Sequence, residues 1–517
     1  MTEHTNRFRT VSKIHNKLQQ GRTKITRRSF VIAATGGTAA LFSPLSRVVG
    51  ASDDIRLGVI GLGVRGNQLI EAFTKVKGVR IAGLCDPDAS RLGKVKSQFP
   101  AAQAVDDMRR LFDSKEIDAV LIAAPNRWHC LAGIWAMQAG KDVYVEKPSS
   151  YSVWEGRQLV ETSRKYDRIA QGGTQQRSDP MQVEVKEFLD SGVLGDVQYV
   201  RLNRFGVRQS IGKRSTPLPI PDGVNYELWL GPAKDQPIFR ENLQYDWHWD
   251  WNTGSGELGN WGPHVLDDCR HVAFRDRVTL PKRVVAGGGR FVWNDAGNTP
   301  NAHFIYYETD EVPVLMAVHN LPLRDGAEQS DRYEKVKPIP GKPDGNRYQQ
   351  REVQPFLVIH CENGYYCGSR GRGAAFSREG KLLKAFYGDG GNAHYGNFIA
   401  ALRSRKRKDQ NAEIEQTHFT AAWAHLGNIS YRLGQAYDSR KAMERVRGYA
   451  PWEELIAGFE AHLQANQVDL ASARAKLGPM LEIDPRTEKL IGPTATAEAK
   501  ALLKPTGRAP FVIPERL

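Results

Sequence analysis

The residues whose chemistry is most evident are Glu146, Lys147 and Pro148, which follow the short apolar run Val143-Tyr144-Val145. A β-branched run of this kind predicts a strand that is buried on both faces, as in a parallel sheet. Proline disfavours helix at the residue before it, so Lys147 is expected at the carboxyl edge of the sheet, where open α/β sheets bind ligands. An amine and a carboxylate at that edge could transfer a proton. An ion pair that only closes the end of the strand is the alternative.

A second set of chemically capable side chains lies within residues 256–268. If a helix begins near Pro263, His264 and Asp267 lie one turn apart on one of its faces. A neutral imidazole can accept the proton of a hydroxyl, whereas the amide of Asn260 can hold a hydroxyl but cannot accept its proton. A single histidine on a helix more often serves structure than catalysis, so its role depends on what the fold places beside it.

The glycine pattern Gly61-Leu62-Gly63-Val64-Arg65-Gly66 predicts a dinucleotide site, because it follows a predicted strand at 55–60 and opens a helix. Gly61 allows a tight turn, Gly63 lets a pyrophosphate approach the backbone, and Gly66 lets the helix pack closely on the strand. The first amides of that helix would face the phosphates. A mononucleotide site or a bare turn is the alternative.

Asp86 ends the second predicted strand, 79–85, twenty residues after Gly66. A carboxylate at that position accepts hydrogen bonds from both ribose hydroxyls, and it would repel a 2′-phosphate. NAD is therefore the expected cofactor, and NADP is disfavoured.

The order of strands, helices and motifs is that of a doubly wound domain. A further predicted strand at 118–124 ends in Pro125-Asn126-Arg127-Trp128-His129, and the strand that ends in Glu146 follows one helix later. With GLGVRG, Asp86, APNRWH and VEKP, the chain resembles the Gfo/Idh/MocA (glucose-fructose oxidoreductase/inositol dehydrogenase) family over about residues 55–440. The resemblance implies an α/β fold, in which an N-terminal Rossmann domain with a doubly wound parallel sheet precedes an α+β domain with an open, mostly antiparallel sheet.

The resemblance also implies the site. Gly262-Pro263-His264-Val265-Leu266-Asp267 matches the family's GxHxxD signature, which places His264 in the active site with Lys147, and the Lys147-Pro148 bond is expected to be cis. Many family dehydrogenases have an aspartate where this chain has Asn260, so His264 would act without that carboxylate, or with Asp267 or Lys147 assisting. The expected catalytic residues are Lys147, His264, Asn260 and Asp267. The expected cofactor-binding residues are Gly61, Gly63, Val64, Arg65, Gly66, Asp86, Pro125, Asn126, His129, Glu146 and Lys147.

Four segments are predicted along the chain. They are a signal segment at 1–51, an NAD-binding Rossmann domain at 52–175, an α+β domain for substrate binding and oligomerisation at 176–440, and a C-terminal extension at 441–517. Short strands alternate with turns between 283 and 386, which predicts an antiparallel sheet and, with the family, a homo-oligomer. The aromatic run Tyr245 to Trp251 could line a sugar site or could only hold a long loop in place.

Charge and cysteine content narrow the class of protein. Of the net charge of +14, residues 1–51 hold +8, from nine Lys/Arg against Glu3, so the remainder carries only +6. No basic run with interleaved aromatics follows, and nucleic acid is not expected as a partner. Five scattered cysteines have no zinc spacing, which favours free thiols and no metal.

An export signal is predicted at the N-terminus. Arg27 and Arg28 precede Phe30 and an apolar run at 31–45, and Val49-Gly50-Ala51 offers small residues for cleavage. This order resembles a twin-arginine signal, so the partner would be the twin-arginine export machinery and the location periplasmic. The run is shorter than the ~20 residues of a transmembrane helix, so no stable membrane span is expected after cleavage. An ordinary signal peptide or an uncleaved anchor is the alternative.

These features together predict an NAD-dependent oxidoreductase acting on a CH–OH group of a sugar, polyol or glycoside, with tightly bound cofactor. In the chemistry that the resemblance implies, His264 is the general base, and Lys147 binds the hydroxyl and relays its proton. A glycosidase or lyase that oxidises C3 transiently, eliminates the aglycone and returns the hydride is the main alternative. A fold that binds sugar without chemistry is a third possibility, against which the intact motif residues argue.

Overall fold

The computed structural model describes residues 54–322, 336–347, 349–471 and 473–515; the predicted signal segment lies outside them. The first half forms a parallel six-stranded sheet in the order β3-β2-β1-β4-β5-β6. Its strands are β1 (Ile55–Ile60), β2 (Val79–Cys85), β3 (Gln103–Val105), β4 (Ala119–Ile122), β5 (Asp142–Val145) and β6 (Ala170–Gly172), and its helices are α1 (Val64–Thr74), α2 (Ala89–Lys96), α3 (Arg109–Phe112), α4 (His129–Gln138) and α5 (Val153–Lys165). The predicted doubly wound fold is confirmed.

Strands β4 and β5 are buried at every position, which explains why their sequences are apolar without alternation. The order of strands reverses where β1 lies between β2 and β4. Ligands bind such sheets at the carboxyl ends of the strands beside this reversal, so the ends of β1, β4 and β5 define the place for a site.

The second half forms a sheet in the order β14-β13-β12-β11-β7-β10-β9-β8-β16-β15, with β17 also on β8 and β18 on β17. Its strands are β7 (Val197–Phe205), β8 (Arg283–Gly289), β9 (Ala302–Glu308), β10 (Val314–His319), β11 (Leu357–Cys361), β12 (Gly364–Ser369), β13 (Arg372–Ser377), β14 (Leu382–Tyr387), β15 (Gln435–Ala436), β16 (Lys476–Leu477), β17 (Leu481–Asp484) and β18 (Lys489–Ile491). The β7–β10 pair is parallel, and the other pairs are antiparallel. The predicted open, mostly antiparallel sheet is confirmed.

The second half also contains nine helices within the described residues. They are α6 (Pro180–Asp190), α7 (Tyr226–Leu230), α8 (Gly256–Asn260), α9 (Gly262–Asp268), α10 (His394–Ser404), α11 (Ile414–Arg432), α12 (Ser439–Arg445), α13 (Ala450–Ala465) and α14 (Ala497–Leu503). Helix α11 packs on α5 of the first half and on α9 and β8 of the second half. It therefore links α9, which carries His264, to the first half. No helix of the described residues has both the length and the apolar character needed to span a membrane.

The C-terminal extension, about which the sequence is uninformative, completes the second sheet. Strands β16 and β17 both pair with β8, and Trp452 and Phe459 of α13 pack on Phe304 of β9. All five cysteines are free thiols. In the β11–β12 hairpin, Cys361 lies opposite Gly364 and Cys367 lies opposite Val358, so the two cysteines do not face each other.

Candidate active site

The turn between β1 and α1 requires glycine at two positions. Gly61 has a φ of +87°, and a Cβ there would lie 2.7 Å from the backbone of Ala123. A Cβ on Gly66 would lie 1.9 Å from the carbonyl oxygen of Gly61, so any side chain would push the helix off the strand. At Gly63 an added Cβ would approach only the Arg91 guanidinium, at 3.1 Å. The glycine pattern therefore brings the open N-terminus of α1 close to the strand ends.

A cavity of about 290 Å³ extends along the carboxyl edge of the parallel sheet. Ten of the predicted cofactor-binding residues line it, namely Gly61, Gly63, Val64, Arg65, Asp86, Pro125, Asn126, His129, Glu146 and Lys147. Of the other predicted site residues, Asn260 lines the cavity, whereas Gly66, His264 and Asp267 do not. Within the described ranges, no group of three or more His, Cys, Asp or Glu side chains is placed to hold a metal ion.

Asp86 lies at one end of this cavity. Its two oxygens accept hydrogen bonds from the backbone amides of Leu62 at 2.7 Å and Asp88 at 2.9 Å. Burial raises the pKa of its carboxyl group. Each oxygen retains a lone pair for a ligand hydroxyl. The carboxylate is thus held by the glycine turn at the position expected for a ribose diol.

Three observations show that these residues fit a dinucleotide. Helix α1 begins at Val64, and its N-cap residue Gly63 has no side chain to cap it, so the first amides of the helix are available to an anion. Asn126 donates to Ser255 Oγ at 2.8 Å, while its buried Oδ1 has no hydrogen-bond partner among the described residues. An acceptor of this kind can receive a ligand N–H or O–H. The amides of α1 can therefore bind the phosphates, Asp86 can bind the ribose hydroxyls, and Asn126 Oδ1 can accept from an N–H or O–H group of the dinucleotide.

Glu146 forms its ion pair with Arg65 of α1, at 2.7 Å, and not with its neighbour Lys147. Burial alone would raise the pKa of Glu146, but the charge and hydrogen bond of Arg65 hold that pKa below its ordinary value. His129 lies behind the pair, and its ring nitrogens face the carbonyl oxygens of Pro148 at 2.6 Å and Ala124 at 2.8 Å. These contacts fix the end of β5, where the Lys147-Pro148 bond is cis as expected.

The ammonium of Lys147 contacts Asn260 twice. Lys147 Nζ donates to the Asn260 backbone oxygen at 2.5 Å and to Oδ1 at 3.0 Å. Burial lowers the pKa of Lys147 to about 8. This side chain can therefore bind a hydroxyl as a cation or accept its proton as an amine near neutral pH.

Glu257 is a site residue that sequence reasoning missed. Its side chain is buried, with 1% of the residue exposed. The carboxylate pairs with the guanidinium groups of Arg204 at 2.9 Å and Arg208 at 3.1 Å, and it accepts a hydrogen bond from Asn260 Nδ2 at 3.3 Å. Asn260 is thereby oriented with its amide oxygen toward Lys147. The signal in the sequence is an acid one helical turn before Asn260, but its two arginine partners come from β7 and the segment after it.

His264 lies in α9, close to the Lys147 end of the cavity but outside its lining. Its ring packs edge-to-face on Trp261, with centroids 5.4 Å apart. Burial, reinforced by the positive charges of Lys147 and Arg370, holds the pKa of His264 well below its ordinary value. The imidazole is therefore neutral at physiological pH.

Asp267 joins α9 to two other elements through its carboxylate, and the catalytic role expected of it stays a prediction. Its Oδ2 accepts Arg177 Nε at 2.7 Å and its Oδ1 accepts Thr420 Oγ1 at 2.7 Å, with both Asp267 and Arg177 buried. The two oxygens thus tie α9 to the 175–178 turn and to α11, and they hold the His264 helix in place. The one-turn spacing does place both residues on α9, but a buried arginine from the 175–178 turn binds Asp267.

The aromatic run is divided between the wall of the cavity and the packing of its own loop. Tyr245, Trp247 and His248 line the cavity beside Lys147 and Asn260, and Trp247 and His248 stack with centroids 3.7 Å apart. Trp249 is buried instead, and the Trp251 amide donates to Asn298 at 2.7 Å. The loop thus forms an aromatic wall of the cavity near Lys147, the kind of surface that can pack against an apolar face of a ligand.

Comparison with known proteins agrees with this geometry. Residues 55–174 match the model of the oxidoreductase family with an NAD-binding Rossmann fold, GFO_IDH_MocA, and residues 180–308 match the family's C-terminal alpha/beta domain. The chain is 29% identical to an inositol 2-dehydrogenase of Corynebacterium glutamicum (strain R) over 191 residues, which are 35% of this chain and 56% of that relative. It is 34% identical to a glycosyl hydrolase family 109 protein of Porphyromonas gingivalis over 122 residues, 22% of this chain and 26% of the relative.

The match to these relatives is partial: the chain spans about half the length of the dehydrogenase and a quarter of the hydrolase. Among solved structures, the WlbA dehydrogenase of Bordetella pertussis in complex with NADH and UDP-GlcNAcA is similar, with a TM-score of 0.51 and 15% identity. The alignment covers 73% of this chain and 96% of that one, which shows a shared fold.

Proposed function

We propose, from the premise that the chain belongs to the Gfo/Idh/MocA oxidoreductase family, that it is an NAD-dependent oxidoreductase acting on a carbinol of a sugar, polyol or glycoside. The observation that carries the proposal is Lys147, which lies in the dinucleotide cavity, is held by Asn260 and has a pKa of about 8. An amine tuned to neutral pH at the reactive end of a nucleotide cavity suits oxidation of an alcohol.

Bound NAD would supply the hydride acceptor for such an oxidation. Lys147 binds the substrate hydroxyl and, in its neutral form, takes the hydroxyl proton. Asn260 holds the Lys147 nitrogen but cannot take that proton, whereas His264, kept neutral by burial near Lys147, would accept a hydrogen bond from the hydroxyl. The aromatic wall of Tyr245 and Trp247 would exclude water and orient the sugar face.

The test of this proposal is whether the purified protein binds NAD and reduces it with a sugar. Calorimetry measures dinucleotide binding, and absorbance at the NADH band follows turnover against a panel of sugars, polyols and glycosides. Binding with substrate-dependent NADH formation supports the proposal, whereas a protein that binds no dinucleotide contradicts it.

A glycosidase that uses the cofactor transiently is the second candidate, and the family 109 relative is the observation that favours it. Such an enzyme oxidises and later reduces the same sugar, so glycoside disappears without net NADH. Product analysis beside the absorbance trace separates the two candidates, because only the dehydrogenase accumulates NADH in proportion to product.

The preference for NAD rests on Asp86. The Asp86→Ser variant is expected to shift the ratio of NADP to NAD affinity toward NADP by roughly 10- to 100-fold, because the repulsion of a 2′-phosphate is removed while Arg91 still lines the cavity. Titration of both dinucleotides by calorimetry measures the ratio. The control is Asp88→Asn, because Asp88 caps α2 and lies outside the cavity. An unchanged ratio in Asp86→Ser would remove Asp86 from the specificity determinants.

We further propose that the protein is exported through the twin-arginine route, on the strength of Arg27 and Arg28 ahead of the apolar run. Replacing both with lysine is expected to leave the precursor in the cytoplasm. Fractionation and immunoblotting measure the distribution, with Arg22→Lys as the control outside the pair. Continued export of the double variant to the periplasm would refute the proposal.

A further inference from the structure

The last residues that the structure describes return to the nucleotide half. After α14, which packs on α11, the C-terminal strap, residues 504–515, crosses toward the loop that precedes the aromatic run. Lys504 Nζ lies 4.6 Å from the ring centre of Trp154 in α5, and the Arg508 amide donates to Pro232 at 3.0 Å. The strap is thus attached to both halves of the molecule.

Arg508 fixes the strap beside the cavity. Its Nε donates to the carbonyl oxygens of Gly231 and Ala233, each at 3.1 Å, and its Nη1 donates to the Glu227 carboxylate at 2.8 and 3.0 Å. Five acceptor contacts on one guanidinium, counting the Glu227 carbonyl at 3.4 Å, hold the backbone three residues before Phe511 in one place.

Phe511 is delivered into the wall of the dinucleotide cavity. It is 3% exposed, it packs edge-to-face on Trp128 with centroids 5.2 Å apart, and its ring lies 6.4 Å from that of Trp135. These three rings and Met108 line the cavity at the end that also holds Asp86. This end is apolar apart from the carboxylates and arginines at its rim, and the strap supplies one of its aromatic faces.

We propose that the C-terminal strap is part of the dinucleotide site, where Phe511 with Trp128 and Met108 forms the wall that receives the adenine base. The inference rests on the proposed function, because Asp86 marks this end of the cavity as the adenosine end only if a dinucleotide binds. Adenine is flat and its faces are weakly hydrated, so it gains from contact with aromatic rings that are already packed and rigid. The strap also closes this end of the cavity. While Arg508 holds the strap in place, the adenosine moiety therefore leaves slowly.

The experiment compares adenosine and nicotinamide ligands on the full-length protein. Calorimetry with NAD, AMP and nicotinamide mononucleotide is carried out on the wild type and on Phe511→Ala, Phe511→Leu and Phe511→Trp. Alanine and leucine are expected to weaken AMP and NAD by roughly 10- to 100-fold, the effect of removing one aromatic–base contact. Nicotinamide mononucleotide affinity is unchanged, and tryptophan restores AMP binding. Val512→Ala, at a neighbouring side chain that is 42% exposed, is the matched control.

Each outcome decides one question. If the wild type binds neither AMP nor NAD, the proposed function is wrong, and the inference about the strap, which rests on it, is wrong as well. A wild type that binds both, while Phe511→Leu binds AMP as tightly or more tightly, overturns the inference, since the strap would then be inert or obstructive. Phe511→Leu keeps most of the apolar volume, so a loss of AMP affinity with an unchanged melting temperature of the ligand-free protein assigns the effect to the aromatic face.

Discussion

Turnover is expected to fall by about three orders of magnitude in Lys147→Ala, while NAD affinity changes little. The loss is the contribution expected of a positioned proton-transfer group. The glycine turn and Asp86, which lie away from the Lys147 nitrogen, remain to bind the dinucleotide. Steady-state kinetics with the best substrate and calorimetry with NAD measure the two quantities separately.

The matched control is Lys141→Met. Lys141 precedes the same strand at its amino end, where its ammonium donates to Ser114 and Ile117 carbonyls at 2.6 and 3.0 Å. Its replacement lowers stability but leaves turnover of the folded protein intact. Full turnover in Lys147→Ala, or equal losses in the two variants, would remove Lys147 from the chemistry.

The same lysine sets the pH dependence. Because burial lowers the pKa of Lys147 to about 8, and the neutral amine is the proton acceptor, kcat/KM for oxidation rises with pH up to about 8 and then levels. In Lys147→Arg we expect this rise of kcat/KM with pH to disappear together with most of the activity, because a guanidinium stays charged. A kcat/KM that falls as pH rises through 8 would show that the cationic form is the active one.

Gly66→Ala is expected to weaken NAD binding strongly, because it distorts the turn of the dinucleotide site. The new Cβ would lie 1.9 Å from the Gly61 carbonyl oxygen, a backbone atom that can yield only if the turn moves. The first turn of α1 then shifts from the strand end, and NAD affinity falls by about two orders of magnitude, with a lower melting temperature. Calorimetry and thermal unfolding of the variant measure both effects.

Gly93→Ala is the control for an added methyl group on a helical glycine. Gly93 lies within α2, and no atom lies within 4 Å of the position that its Cβ would take. This variant keeps NAD affinity and gains about 0.5–1 kcal/mol of stability, because alanine favours helix over glycine. NAD binding by Gly66→Ala at wild-type strength would refute the role given to the turn.

The parts of the site that the sequence predicts are those built from neighbours in the chain. A strand followed by Gly61 and Gly66, a second strand ending in Asp86, and Lys147 before a proline are local patterns. Each is imposed by the backbone of a strand that turns into a helix or loop, so their places at the carboxyl edge follow without knowledge of the rest of the fold.

The parts that could not be predicted depend on contacts between distant segments. Glu257 matters because Arg204 and Arg208 bury its charge beside Asn260, and Phe511 matters because Arg508 fixes it against Trp128. Helical spacing shows which residues share a face but not which partner that face meets. Asp267 is an example, since its carboxylate binds the buried Arg177, a partner that the helical spacing does not reveal.

The central claim is that Lys147 takes the proton of a carbinol while the sugar is oxidised at the cofactor, and single-turnover absorbance tests it most directly. The protein, loaded with one equivalent of NAD, is mixed with the panel of sugars, polyols and glycosides, and the NADH band is followed alongside product analysis. We expect a rise in that band with at least one compound, lasting for a dehydrogenase and transient for a glycosidase, and no rise in Lys147→Ala with NAD bound. A rise of equal rate and amplitude in Lys147→Ala would contradict the claim.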